Sequence, residues 1–168
     1  MLYFAYGSNM STARLRARVP SAVALGRAYL PRHRLAFHKI GRDGSAKCDI
    51  VSDDHAVGVH GVVFVIDLAE RGMLDEAEGL GRGYGVQQVS VHASSGEPLD
   101  AFAYVATAVD PLLRPYAWYL HHVLAGAIEH ALPHDYVAMI RDTVACDDPD
   151  RERHARELSI YVDRINNR

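Results

Sequence analysis

The sequence predicts an α+β fold: a small mixed, largely antiparallel β-sheet or barrel packed by helices, with a helical C-terminal third. Three observations predict it. Short apolar runs rich in valine and bounded by glycine, proline or serine fill the first two thirds of the chain. After Pro115 the apolar spacing changes to a helical period. Strands and helices do not alternate regularly, which argues against a repeated βαβ architecture. The 168 residues suit one domain over 1–168, with length enough for a substantial core.

Leu2 to Tyr6 is a short apolar run ending at Gly7, a buried strand leading into a turn. Ser11 or Thr12 can cap a helix over Ala13 to Arg18 that stops before Pro20. Val23 to Leu30, Arg34 to His38, Cys48 to Ser52 and Val57 to Ile66 read as strands. Gly61 inside the last of these marks a bulge or a close backbone approach. Asp67 suits the N-cap of a helix over Leu68 to Glu78 that ends at Gly79, with Gly72 a point where it can divide. Val86 to His92 and Leu99 to Thr107 form a hairpin around Ser94 to Pro98.

Three helices follow. The first carries an apolar stripe of Tyr116, Leu120, Val123, Leu124, Ala127, Ile128 and Ala131. The second starts at Pro133 with Tyr136, Met139, Ile140 and Val144 on its inner face. Asp150 caps the third, with a stripe of Leu158, Tyr161, Val162 and Ile165.

Composition narrows the function classes. Apolar residues make up 49% and charged ones 23%, an ordinary soluble balance. A net charge of −3 points to neither nucleic acid nor an anionic membrane. No basic n-region precedes an apolar run at the N-terminus and no stretch is long enough to span a bilayer, so a cytoplasmic protein is expected. Cys48 and Cys146 do not form a disulfide framework, and the ten histidines show no ligand spacing, so no metal site is expected.

Two segments carry candidate chemistry. In Tyr6-Gly7-Ser8-Asn9 a strand ends and a helix begins, an arrangement whose amides can converge on a carboxylate or an oxyanion. Glycine there permits backbone angles that other residues resist. The same residues also suit an ordinary capped turn. Leu74-Asp75-Glu76-Ala77-Glu78-Gly79 places three acids at a helix C-terminus, where the helix dipole disfavours negative charge by roughly 0.3–1 kcal/mol each. For Glu78 that environment favours the protonated form and suits proton transfer; the alternative is a solvated acidic helix end, the reading given to Asp75 and Glu76. Three glycines in Gly79 to Gly83 place Arg82 and Tyr84 in a tight loop beside the acid, either within reach of a ligand or packed on the sheet. Tyr116, Trp118 and Tyr119 open the first C-terminal helix, with Tyr116 on the core stripe and the other two on adjoining faces. Ser8 lacks the Gly-x-Ser-x-Gly context of a nucleophile, and neither cysteine has an activating setting.

At these residues the chain resembles the γ-glutamylcyclotransferase family, including its AIG2-like relatives. Phe4-Ala5-Tyr6-Gly7-Ser8-Asn9-Met10 is similar to the family's substrate loop, and Asp75-Glu76-Ala77-Glu78-Gly79 to the segment whose last acid is catalytic. Val59 to Phe64 and Gly126 to Pro133 extend the likeness over most of the chain, and Tyr119 matches a tyrosine lining the family's pocket. One departure concerns specificity: some members carry a pocket tyrosine one position beyond Tyr84, where this chain has Gly85.

The resemblance implies the γ-glutamylcyclotransferase-like fold and a cofactor-free intramolecular aminolysis. The α-amine of a γ-glutamyl compound attacks its own γ-carbonyl, 5-oxoproline forms, and an amine or amino acid leaves. Glu78 is then the acid/base, and Tyr6, Gly7, Ser8, Asn9, Met10, Tyr84 and Tyr119 bind substrate. The partner is a small γ-glutamyl molecule, with a homodimer expected from the resemblance alone. An α-amine of pKa about 8 and an ordinary Glu of about 4.3 differ by roughly 5 kcal/mol in proton transfer, part of which a buried Glu78 would offset. Two alternatives stay open: removal of a γ-glutamyl cap from a larger biosynthetic intermediate, and a non-catalytic binding module of the same fold.

Overall fold

The computed structural model describes residues 1–161. Seven strands and five helices occur among them: β1 (Leu2–Ala5), α1 (Thr12–Arg16), β2 (Val23–Leu30), β3 (His33–Ile40), β4 (Ala46–Ser52), β5 (Val59–Val65), α2 (Arg71–Glu78), β6 (Tyr84–Ala93), β7 (Pro98–Ala106), α3 (Ala117–Glu129), α4 (His134–Arg141) and α5 (Arg151–Ser159). Five strands close a barrel in the order β1-β5-β2-β6-β7, and β3 and β4 form a separate two-stranded sheet. The barrel is antiparallel except where β1 meets β7 side by side at Tyr3 and Phe102. This is the α+β architecture that the apolar runs and the late helical period predict.

The ladder register places Phe4, Val63, Val91 and Ala103 on one face of the barrel strands and Tyr3, Val62, Phe64 and Phe102 on the other, and both faces are buried. The glycine in β5 marks a close approach. A Cβ on Gly61 would sit 2.4 Å from the Ala5 carbonyl oxygen and 2.7 Å from the Phe4 ring. No bulge falls there; in the barrel one lies in β2, between Ala24 and Gly26.

Helix α2 shows how local chemistry positions one functional residue. Asp67 accepts a hydrogen bond from the Ala69 amide at 2.9 Å, but it caps a 3-10 turn over Leu68–Glu70. The α-helix begins at Arg71, so the division expected at Gly72 falls one residue earlier. At the other end Gly79 adopts φ 74°, its amide bonds the Glu76 carbonyl at 3.1 Å, and the Leu80 amide bonds the Asp75 carbonyl at 2.9 Å. This left-handed stop leaves Glu78 as the last helical residue.

The C-terminal helices depart from their apolar stripes. The buried face of α3 is Trp118, Tyr119, His122, Val123, Gly126 and Ala127, whereas Ile128 is 55% exposed. Val123 and Ala127 of the expected stripe are buried, and Tyr116, Leu120 and Leu124 pack against the core, but the stripe omits the histidine and the glycine of this face, which an apolar count overlooks. A Cβ on Gly126 would lie 2.4 Å from the Met10 carbonyl carbon and the Ser11 nitrogen, so the bare glycine lets α3 press on the loop after β1. In α4 the buried residues are Tyr136, Val137 and Ile140; Met139 is exposed and Val144 lies beyond the helix end. Asp150 caps α5 as expected, accepting from the Arg153 amide at 2.8 Å. Of its expected stripe, Leu158 packs on the core, while Val162 and Ile165 lie outside the described residues. Among the described residues no helix is long and apolar enough to cross a membrane.

Candidate active site

The loop between β1 and α1 is a single 3-10 turn, Ser8–Met10. The Met10 amide donates to the Gly7 carbonyl at 3.0 Å and the Ser11 amide to the Ser8 carbonyl at 3.3 Å. The earlier amides of such a turn have no acceptor within it. Gly7 has φ −116°, an ordinary value, so it is needed for space rather than for an unusual φ. A Cβ there would lie 3.0 Å from the Cys48 Cβ and 3.2 Å from the Tyr119 hydroxyl.

Glu78 and Asn9 meet at the centre. Asn9 is buried, and its Nδ2 donates to Glu78 Oε1 at 2.9 Å and to the Tyr3 hydroxyl at 3.1 Å. Arg18 Nη1, just past α1, donates to the same Glu78 Oε1 at 2.7 Å and to Asn9 Oδ1 at 2.9 Å. The carboxylate at the helix end is therefore held by a cation from another element, which the helix-dipole argument did not include. Both bonds fall on Oε1; among the described residues Oε2 has no partner.

Three tyrosines wall the site. The Tyr6 hydroxyl donates to the Tyr104 carbonyl and the Tyr84 hydroxyl to the Cys48 carbonyl. The Tyr119 hydroxyl accepts from the Cys48 amide at 2.9 Å, so its proton is the one not already placed on a backbone carbonyl. Burial pushes all three phenols well above their ordinary pKa, which keeps them neutral. Burial likewise raises the Cys48 thiol to about 12, which removes it as a thiolate nucleophile.

Two cavities share this wall. A small one of about 20 Å³ is lined by Tyr6, Gly7, Ser8, Asn9, Tyr104 and others, and a cleft of about 250 Å³ extends past Lys39, Asp43 and Lys47. Ser8, Glu78, Tyr84 and Tyr119 line both, so they stand at the junction. Among the residues expected from the sequence, Tyr6, Gly7, Ser8, Asn9, Glu78, Tyr84 and Tyr119 thus come together. Met10 does not: it ends the 3-10 turn, faces into the core beneath Gly126 and is fully buried. Arg82 lines neither cavity and pairs with the exposed Glu76 at 2.6 Å. Asp75, expected to be solvated, instead accepts from the Tyr104 hydroxyl at 2.6 Å and pairs with Arg71 at 2.8 Å. Trp118 also reaches the larger cleft.

Sequence reasoning missed Tyr3, Tyr104, Arg18 and Lys39. Tyr3 and Tyr104 sit in strands whose alternation could have faced them inward. Arg18 could not be paired with Glu78 from spacing alone. Among the described residues no cluster of His, Cys, Asp and Glu could hold a metal ion.

A model of the AIG2-like family matches residues 58–140. A γ-glutamylcyclotransferase from Mus musculus is 31% identical over 140 residues, 80% of this chain and 74% of the relative, and the one from Homo sapiens matches to the same extent. A solved structure named gamma-glutamyl cyclotransferase superposes with a TM-score of 0.82 at 29% identity, covering 88% of this chain and 89% of that one.

Proposed function

The chain belongs to the γ-glutamylcyclotransferase family, and from that premise we propose that it is a cofactor-free enzyme converting a γ-glutamyl compound into 5-oxoproline and a free amine or amino acid. The observation that carries this reading is the position of Glu78. It stands where the two cavities join, fixed through one carboxylate oxygen and open at the other.

The nucleophile and electrophile lie in one molecule, so the protein mainly holds the substrate folded for attack. The neutral α-amine attacks the γ-carbonyl carbon and a carbon–nitrogen bond closes the five-membered ring. Glu78 Oε2 takes the proton that this nitrogen sheds. Collapse of the tetrahedral intermediate breaks the bond to the leaving nitrogen, and Glu78 returns the proton to it. Negative charge builds meanwhile on the carbonyl oxygen. The Tyr119 hydroxyl and the Ser8 amide at the junction, with the amides of Gly7 and Asn9 along the smaller cavity, are the donors that suit it. Arg18 and Asn9 fix the carboxylate in one orientation, while the buried tyrosines limit water. Proton transfer and tethering suffice, so the reaction needs no cofactor.

The test is a panel of γ-glutamyl amino acids and γ-glutamylamines assayed for 5-oxoproline by mass spectrometry. Release matched mole for mole by free amine, with none from α-glutamyl isomers, is expected. No release from any member of the panel would make this reading wrong.

A further inference from the structure

Lys39 is a buried cation to which this mechanism gives no task. It is 4% exposed, lines the larger cleft, and its side chain makes no hydrogen bond or ion pair among the described residues. Every other cation lining that cleft has an acid: Arg14 with Glu157 at 2.6 Å, Arg18 with Glu78 at 2.7 Å, Arg42 with Glu76 at 3.7 Å, Lys47 with Asp43 at 2.8 Å, and Arg153 with Asp148 at 2.5 Å. A buried ammonium without a counter-charge carries an uncompensated desolvation cost.

The fold builds a seat for this side chain. Phe37 pairs with Cys48 and Lys39 with Lys47, so His38 is an extra residue in β3. Such a bulge turns the following side chain onto the other face. The Lys39 ammonium then lies 4.5 Å from the centre of the Tyr84 ring. Gly83, at φ 111°, makes room: a Cβ there would sit 2.9 Å from Lys39 Cε and 3.1 Å from Nζ. Directly across the ladder Lys47 is already neutralised by Asp43, which leaves Lys39 as the cation lining this cleft that has no acid beside it among the described residues. Burial pushes its pKa down, opposed by the charge of Glu78, and an arriving anion would offset the burial.

We propose that Lys39 is the specificity residue for a carboxylate on the leaving side of the substrate, so that the cleft selects γ-glutamyl conjugates of acidic amines, amino acids among them, over conjugates of neutral amines. The proposal rests on the γ-glutamyl reading above. With the glutamyl group at the loop, the smaller cavity of about 20 Å³ has no space for a leaving group, which must extend into the larger cleft past Tyr84 to Lys39.

The test compares γ-glutamylalanine with its C-terminal amide, in which the carboxylate is neutralised at nearly constant shape. The wild-type enzyme is expected to favour the acid by about tenfold or more in kcat/KM, mainly through KM, the effect of a charge-assisted hydrogen bond. Lys39→Met should lower kcat/KM for the acid by about tenfold or more and for the amide by less than about threefold, while Lys39→Arg keeps the preference. Equal use of acid and amide by the wild-type enzyme overturns the proposal without any variant. So does an unchanged acid preference in Lys39→Met, and in both cases the γ-glutamyl reading stands because both compounds still release 5-oxoproline. Failure of the wild-type enzyme to release 5-oxoproline from any γ-glutamyl compound overturns that reading and this proposal together.

Discussion

Arg18 Nη1 lies 2.7 Å from Glu78 Oε1, and Asn9 bridges the pair by donating to that oxygen at 2.9 Å while accepting from Arg18 at 2.9 Å. The acid of the second helix is thus locked to the loop and to the end of the first. The three side chains close a triangle through Oε1, and among the described residues Oε2 of this cavity-lining acid has no partner. Removing the cation removes one of the two bonds that orient the carboxylate. Arg18→Met should therefore lower kcat by about tenfold or more while the fold is kept. Steady-state kinetics read beside circular dichroism checks this.

Gly126 makes an opposite demand, for absence of a side chain. Alanine is the better helix former by about 1 kcal/mol, yet its Cβ would lie 2.4 Å from backbone atoms of Met10 and Ser11. Overpacking against backbone outweighs propensity. Gly126→Ala should destabilise the protein by roughly 1–3 kcal/mol and raise KM by displacing the loop. Urea unfolding read beside steady-state kinetics separates the two effects.

His122 couples stability to pH. It is fully buried, its Nε2 lies 2.9 Å from Arg14 Nη1, and its Nδ1 lies 2.7 Å from the Tyr161 hydroxyl. Burial pushes its pKa down to about 4. The unfolded chain binds a proton there below about pH 6.5 and the folded one only below about 4, so stability rises with pH across that window and is lost as the solution is acidified. The full effect is roughly 3 kcal/mol. Urea midpoints between pH 4 and 7 should fall on the acid side, and more shallowly in His122→Gln.

The two cysteines should differ in reactivity. Cys48 is buried with a thiol pKa raised to about 12, whereas Cys146 is exposed. Iodoacetamide at pH 8 should modify Cys146 alone in the folded protein, with 5-oxoproline release unaffected. Peptide mapping locates the label.

Much of the barrel was legible because glycine, proline and serine punctuate it. Val23–Leu30 begins and ends where the sequence predicts, and each bound of the β6–β7 hairpin lies within two residues of its predicted place. Asp150 and Gly79 announced a helix start and a helix stop through cap chemistry. What stayed hidden depended on contacts distant in sequence. Arg18 and Glu78 are 60 residues apart, and no periodicity pairs them. Lys39 falls just past the predicted strand Arg34 to His38, and the bulge at His38 that turns it inward is visible only in the ladder. The packed face of α3 was only partly legible because His122 and Gly126 do not count as apolar, although they fall on its helical period, and one anchors a polar network while the other receives the loop.

Replacing one atom group at Glu78 tests the central claim most directly. Glu78→Gln keeps the shape and an acceptor oxygen for Arg18 and Asn9 but cannot take up a proton. With the best γ-glutamyl substrate of the panel, the variant should show wild-type circular dichroism and a kcat for 5-oxoproline release lowered by about 100- to 10,000-fold. A folded Glu78→Gln protein that releases 5-oxoproline at the wild-type rate would contradict the account.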